Sequence, residues 1–320
     1  MPLTRAVLLD LATIDRGDIA LDRLRSVCPH WTFHPTTAPG ETTGRIAEAE
    51  VVVTNKVELD RGLLAAAPRL RLVCVAATGT NNVDLAAARE LGIPVTNVTG
   101  YATPSVVQHV FAVMLAHATR LADYRQAVAE GAWERSEQFC LLDYPIWELA
   151  ERTLGIVGYG ALGQGVARVA AAFGMRVLIA ERPGGPPQPG RTPLAELLVE
   201  SDVVSLHVPM NESTRNLIGA AELAVMKPGA LLVNTARGGI VDEAALAQAL
   251  RTGRLGGAAV DVLTVEPPPA GNPLLAADIP NLILTPHIAW ASREARQRLI
   301  DEVAENIAAF QQGRARNRLA

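Results

Sequence analysis

Cysteine is scarce in this 320-residue chain: Cys28, Cys74 and Cys140 stand far apart. That gives neither a disulfide framework nor a metal motif, and no cysteine or carboxylate sits at metal-ligand spacing near His109 and His117. Free thiols in a reducing, cytoplasmic compartment are the expectation. Charged residues make up 19%, the net charge is −4, and Lys and Arg are scattered. With no basic stripe, nucleic-acid binding is not expected. Repeats and low-complexity tracts are also missing, which excludes solenoids. The N-terminal apolar run is interrupted by Asp10 and Asp15 and reads as a strand rather than a signal peptide. One stretch, 104–122 (PSVVQHVFAVMLAHATRLA), approaches the ~20 apolar residues of a membrane span. Gln108, His109 and His117 lie inside it and no second such stretch exists. It reads as a buried helix, and no membrane partner is expected.

What is present is core material: 49% of the residues are hydrophobic, and the length suggests two domains, because a single core rarely grows past ~250–300 residues. Short β-branched runs recur at 5–10, 50–54, 71–76, 93–97, 153–157, 176–180, 203–208, 230–235, 258–262 and 282–285. They are almost continuously apolar, as strands covered on both faces are. Helical patterns lie between most of them, so parallel sheets with right-handed crossovers are predicted. The alternation falls into two blocks, split by the long apolar helix, and a final helix spans roughly 291–311. The segment PGGPPQPG (183–190) reads as a surface loop.

The strongest local signal lies in TLGIVGYGALGQGVARVAAAFGMRVLIAER. Gly158, Gly160 and Gly163 form G-x-G-x-x-G between a strand and a helix predicted at 163–173. The first glycine permits the tight turn, the second the approach of a pyrophosphate, the third close helix packing. The helix N-terminus offers unpaired N–H groups to phosphates. The next strand ends at Glu181, where a carboxylate can accept from the adenosine ribose. It repels a 2′-phosphate and so favours NAD. The adjacent Arg182 could hold that phosphate and leaves NADP as the alternative.

Further segments, TGTNNVDL (78–85), VVSLHVPMNESTRNLI (203–218), MKPGALLVNTARGGIVDEAAL (226–246), AAVDVLTVEPP (258–268) and NLILTPHIAW (281–290), follow in fixed order. With the glycine turn they make the chain resemble the D-isomer-specific 2-hydroxyacid dehydrogenase family along nearly its whole length. TGTNNVDL and HIAWAS (287–292) resemble the glycerate dehydrogenase (hydroxypyruvate reductase) branch. The resemblance implies a Rossmann-type cofactor domain, 99–288, inserted into a flavodoxin-like substrate domain. The latter is formed by 1–98 plus the helix in 289–320, with an active site in the cleft between the two. It also implies a homodimer with the helix 104–121 near the interface.

The family's catalytic positions correspond to Arg237, Glu266 and His287. The chemistry supports those residue types. Reducing a 2-keto acid needs a proton for the developing alkoxide, which an imidazole can give. A carboxylate fixes the imidazole tautomer and stabilises imidazolium, and a guanidinium fork suits the substrate carboxylate. Each follows a predicted strand, on the edge where open α/β sheets bind ligands. Singly, each has a plainer reading: a packed histidine, a loop glutamate before Pro267, Pro268 and Pro269, an arginine capping a helix beside Gly238 and Gly239.

By resemblance, Gly79 and Thr80 would present backbone N–H groups to the substrate carboxylate, and Thr103 would touch the nicotinamide-side phosphate or ribose. Leu162 and Gly163 would bind the pyrophosphate, and His207, Pro209 and Thr214 would line the adenine side. Thr235 and Ala236 would approach the nicotinamide ribose. Asp261 would accept from the carboxamide, or else bond its own backbone. His30, His34, His109 and His117 are assigned no ligand. Tyr101 and Trp290 are read either as closing over substrate or as packing at a domain crossover. Hydroxypyruvate and D-glycerate are the expected substrate pair. D-lactate, glyoxylate or 3-phosphoglycerate dehydrogenase, or an NAD-sensing corepressor, are the alternatives.

Overall fold

A computed structural model describes residues 3–320. Strands β1 (Arg5–Leu8), β2 (His30–Phe33), β3 (Val51–Thr54), β4 (Leu72–Val75) and β5 (Val95–Thr96) alternate with helices α1 (Asp22–Ser26), α2 (Thr42–Ile46), α3 (Arg61–Ala65) and α4 (Leu85–Glu90). Helices α5 (Thr103–Ala118) and α6 (Leu121–Ala129) follow. Next come β6 (Thr153–Val157), α7 (Ala161–Ala172), β7 (Arg176–Ile179), α8 (Leu194–Glu200), β8 (Val203–Leu206) and α9 (Ala220–Val225). Then come β9 (Leu231–Asn234), α10 (Glu243–Arg251), β10 (Gly257–Val260), β11 (Leu282–Leu284) and α11 (Arg293–Gln311). The chain divides into one unit of residues 1–102 with 290–320 and another of residues 103–289.

The first unit carries an all-parallel sheet in the order β2-β1-β3-β4-β5, the flavodoxin-like order. β3 and β4 are buried on both faces, which explains their continuous apolar runs. Leu59, Leu64, Val73, Ala87 and Val95 belong to one of the unit's buried clusters. The segment around Trp31 and Phe33 is the edge strand β2. The run 93–97 shortens to two residues, because Pro94 has no N–H to give the ladder.

Helix α11 belongs to this unit, and its core face is spaced as a helix requires: Ala295, Leu299, Val303 and Ile307 are buried. Ser292 caps it through Ala295 N–H. Arg296, 9% exposed, donates to both Asp18 oxygens at 2.7 Å and to Ile14 O. Its guanidinium holds the Asp18 carboxyl at a pKa of about 2. Tyr101 and Trp290 pack edge to face, centroids 6.3 Å apart.

The second unit has a parallel sheet ordered β11-β10-β9-β8-β6-β7. Beyond β7 the next strand position is a single bridge, Ala180 to Thr192. Counting it, the order is that of a Rossmann sheet, and the switch point falls between β6 and β8. Both units are therefore doubly wound α/β sheets, as the strand–helix alternation predicts.

The apolar stretch 104–122 does not form one helix. α5 ends at Ala118, Arg120 takes a left-handed conformation (φ 52°), and α6 begins at Leu121. Arg120 Nη1 donates to Asn281 Oδ1 at 2.8 Å. Most apolar side chains of α5, among them Val106, Val110 and Met114, are buried. Phe111 stacks on Phe173 at 5.4 Å. No helix among the described residues is long and apolar enough to cross a membrane. Cys28 and Cys74 are buried free thiols, and Cys140 is partly exposed.

Candidate active site

The glycine turn follows β6. Gly158 has φ +97°, and a Cβ there would lie 2.5 Å from His207 O, so no other residue fits without a shift. A Cβ on Gly163 would lie 2.1 Å from Gly158 O, whereas at Gly160 nothing lies within 4 Å. Two glycines thus let the chain pack on itself, and the third leaves open space. α7 starts at Ala161, two residues before the expected 163, with Gly160 as its cap. The first helical bond runs from Gln164 N–H to Gly160 O. By helix geometry the N–H groups of Leu162 and Gly163 therefore have no acceptor four residues back. The Cβ position of Gly165 faces Val107 and the Thr103 methyl, which sets Thr103, the first residue of α5, beside α7.

Glu181 is half-buried just past β7, and its N–H donates to Thr192 O at 2.9 Å. Arg182 is exposed, and the Arg191 guanidinium lies 4.7 Å over the Tyr159 ring. Past β8, His207 Nε2 meets Ser205 Oγ at 2.9 Å, while its buried Nδ1 has no partner. Burial pushes the His207 pKa down to about 4. Pro209 is exposed, and the buried Thr214 hydroxyl donates to Pro209 O at 2.7 Å and accepts from Asn211 N–H. Thr214 thereby shapes the loop beside β8.

The ends of β9, β10 and β11 are neighbours in the sheet. After β9, Thr235 is buried and its Oγ1 has no partner. The Asn234 side chain accepts from Ala236 N–H and donates to Arg237 O. Arg237 Nη1 donates to Ala236 O at 2.7 Å, which uses one arm of the guanidinium and leaves the rest of the fork for a ligand. A Cβ on Gly238 would lie 2.0 Å from Leu263 O, so this loop packs directly on the one carrying Glu266.

Glu266 Oε1 accepts from Leu263 N–H at 2.8 Å, and its Oε2 lies 2.6 Å from His287 Nδ1. An ionised carboxylate only accepts, so Nδ1 carries the hydrogen and Nε2 is the ring atom that can exchange a proton. His287 has φ +55°, a conformation costing ~1–3 kcal/mol for a non-glycine residue. Its N–H bonds to Asp261 O and Thr285 O hold it there. Asp261, 2% exposed, accepts from Thr285 Oγ1, Ile288 N–H and Ala289 N–H. The partners of this carboxylate are thus in the His287 loop.

Residues 111–289 match the family model described as D-isomer specific 2-hydroxyacid dehydrogenase, NAD binding domain. The chain is similar to the glycerate dehydrogenase of Methylorubrum extorquens, 48% identical over 89% of this chain and 90% of that one. It is also similar to the hydroxypyruvate reductase of Blautia hydrogenotrophica, 37% identical over 97% of each. The solved structure of TT0316 protein from Thermus thermophilus superposes with a TM-score of 0.86 at 36% identity, covering 99% of this chain and 100% of that one. The chain belongs to the D-isomer specific 2-hydroxyacid dehydrogenase family.

In this dehydrogenase the residues present fit a dinucleotide. The turn leaves open space at Gly160, beside the N–H groups of Leu162 and Gly163, and the orphaned Thr235 Oγ1 lies at the same sheet edge. Gly79 and Thr80 lie in the first unit, in the loop after β4, where Val83 N–H donates to Thr80 O. Three residues that shape the site escaped the sequence reading. Asn234 clamps the Arg237 turn. Glu243 accepts from Thr264 N–H and Oγ1 and from Asn272 Nδ2, fixing the segment before Glu266. Thr285 bonds Asp261. Asn234 and Thr285 each lie within two residues of a flagged position, a signal that adjacency alone supplied. Glu243 gave none.

Proposed function

We propose that this dehydrogenase interconverts hydroxypyruvate and D-glycerate, with NAD as cofactor and His287 as the acid/base. The observation that carries the reading is the 2.6 Å bond between His287 Nδ1 and Glu266 at the strand edge that also bears Arg237. When bound, NAD would supply the hydride chemistry. Gly158, Gly160, Leu162 and Gly163 would hold its pyrophosphate, Glu181 its adenosine ribose, and His207, Pro209 and Thr214 would border the adenine. Thr103, Thr235 and Ala236 would meet the nicotinamide half, with Asp261 near the carboxamide.

The chain's own residues divide the remaining work. Arg237 binds and orients the substrate carboxylate. Glu266 keeps the hydrogen of His287 on Nδ1, so that Nε2 gives a proton to the carbonyl oxygen in reduction and takes it back in oxidation. Glu181 favours NAD by repelling a 2′-phosphate. A cytoplasmic homodimer completes the proposal. Trp133, Phe139, Leu142 and Ile146 are 51%, 90%, 78% and 57% exposed, an apolar surface suited to a second copy of the chain.

The test is NADH consumption with hydroxypyruvate, glyoxylate, pyruvate and 3-phosphohydroxypyruvate, repeated with NADPH. Highest kcat/KM is expected with hydroxypyruvate and NADH. A clear preference for pyruvate, or for NADPH, would overturn the corresponding part.

A further inference from the structure

Two side chains of α5 hold the ends of the loop that bears His287. Ser105 and His109 are four residues apart and so share one face of the helix. Ser105 Oγ donates to Ala289 O at 2.7 Å in a buried bond. His109 Nε2 lies 3.3 Å from Thr285 Oγ1 and 3.9 Å from Asp261 Oδ1.

The direction of these bonds follows from their chemistry. The Asp261 carboxylate only accepts, so the Thr285 hydroxyl, 2.5 Å away, gives it its single hydrogen. Thr285 Oγ1 is then an acceptor, and His109 Nε2 must be the donor. Asp261 accepts in addition from Ile288 and Ala289 N–H, and its own carbonyl accepts from His287 N–H. Residues 285–289 are thereby held by Asp261 and by two side chains of α5, with the left-handed His287 in the middle.

We propose that Ser105 and His109 are positioning residues for proton transfer. Through Thr285, Asp261 and Ala289 they keep the His287 loop in its left-handed form, with Nδ1 on Glu266 and Nε2 as the proton-exchanging atom. The proposal rests on the dehydrogenase reading of the same site. A histidine that merely filled a gap in the helix packing would serve stability, but it would not need a donor at Nε2, nor would its loss act on turnover alone.

The experiment compares His109→Leu, His109→Gln, Thr285→Val, Thr285→Ser and Ser105→Ala in the full chain. Gln keeps an N–H donor near the Nε2 position, and Ser keeps the hydroxyl. Turnover at saturating substrate and NADH is measured beside NADH affinity by fluorescence. Nitrogen-15 histidine spectra follow the Nδ1–H signal of His287, which needs no activity.

His109→Leu and Thr285→Val should lower kcat about tenfold, Ser105→Ala about threefold, with NADH affinity changed less than twofold. His109→Gln and Thr285→Ser should recover most of the loss. The His287 Nδ1–H signal should weaken in the Leu and Val variants and return in the Gln and Ser variants. A His109→Leu protein with kcat within twofold of wild type and an intact Nδ1–H signal would overturn the proposal. So would a kcat loss that Gln and Ser fail to restore. The Thr285 pair decides the matter if His109→Leu does not fold. A wild-type protein that turns over none of the four acids would sink the dehydrogenase reading instead, and the Nδ1–H signals would then decide the positioning claim alone.

Discussion

Asp261→Asn tests the architecture of the His287 loop with nearly no change of volume. In the native chain one carboxylate serves three donors: Thr285 Oγ1 at 2.5 Å, Ile288 N–H at 2.9 Å and Ala289 N–H at 2.9 Å. An amide has one oxygen, so whichever way the substituted side chain turns, its NH2 group faces an N–H at hydrogen-bond distance. A buried donor left without an acceptor costs about 1–3 kcal/mol, and bonds that lose charge assistance weaken by roughly 1 kcal/mol more. Ile288 is 47% exposed and can rehydrate, whereas Ala289 is 3% exposed and cannot. Because the amide can turn its NH2 group toward the hydratable Ile288 side, the upper end of that sum does not apply, and about 2–3 kcal/mol is lost from the loop. Because His287 already carries ~1–3 kcal/mol of left-handed strain, the loss should appear as local opening. At about 1.36 kcal/mol per decade, exchange of the His287 and Ala289 amides should accelerate roughly 30- to 150-fold. If the whole unit shares the loss, its melting temperature falls by about 5–10 °C. Hydrogen exchange with mass-spectrometric or NMR detection reads the first, calorimetry the second. Exchange within threefold of wild type, together with an unchanged melting temperature, would refute the assignment of Asp261 as the loop's anchor.

Other perturbations have equally definite outcomes. His287→Ala should cut kcat by about 10²–10⁴-fold, the usual worth of a positioned acid/base, and leave NADH affinity within a few-fold; a large loss of NADH binding would assign His287 a different role. Gly163→Ala places a methyl group 2.1 Å from Gly158 O, so the turn must open, and NADH affinity measured by fluorescence titration should drop at least tenfold while the fold melts cooperatively. His207 is held neutral by burial with a pKa of about 4, against 6.5 when exposed. The unfolded chain therefore takes up this proton first, and the stability tied to it is present above pH 6.5 and lost as pH falls toward 4, by about 3 kcal/mol at full protonation. His207→Gln should flatten that part of the urea-midpoint profile between about pH 7 and pH 4.5; an identical profile would mean that the native ring is hydrated.

Local pattern carried far in this chain because its strands are buried on both faces. Runs such as VVVT and LVCV can satisfy their backbone and side chains only inside a parallel sheet, and they become β3 and β4. The family resemblance rested on something else, the fixed order of several motifs along nearly the whole chain. Where pattern failed, the cause was non-local. The apolar stretch through residue 122 looks continuous, yet Arg120 reaches Asn281, far along the chain, and the helix turns there. Beyond β7 the next strand position survives only as the Ala180–Thr192 bridge, too short for periodicity to register.

The amino-acid order by itself determined the fold class and the glycine turn, which depend on neighbours within a few positions, and named the candidate residues through a resemblance spread along nearly the whole chain. Folding alone decided that a glutamate and a histidine 21 residues apart share a hydrogen bond, that Asp261 binds the loop after β11, and that two α5 side chains hold that loop's ends. Those facts depend on distances and directions between groups remote in the chain, which no linear spacing encodes and which close packing of the sheet edge fixes to a few tenths of an ångström.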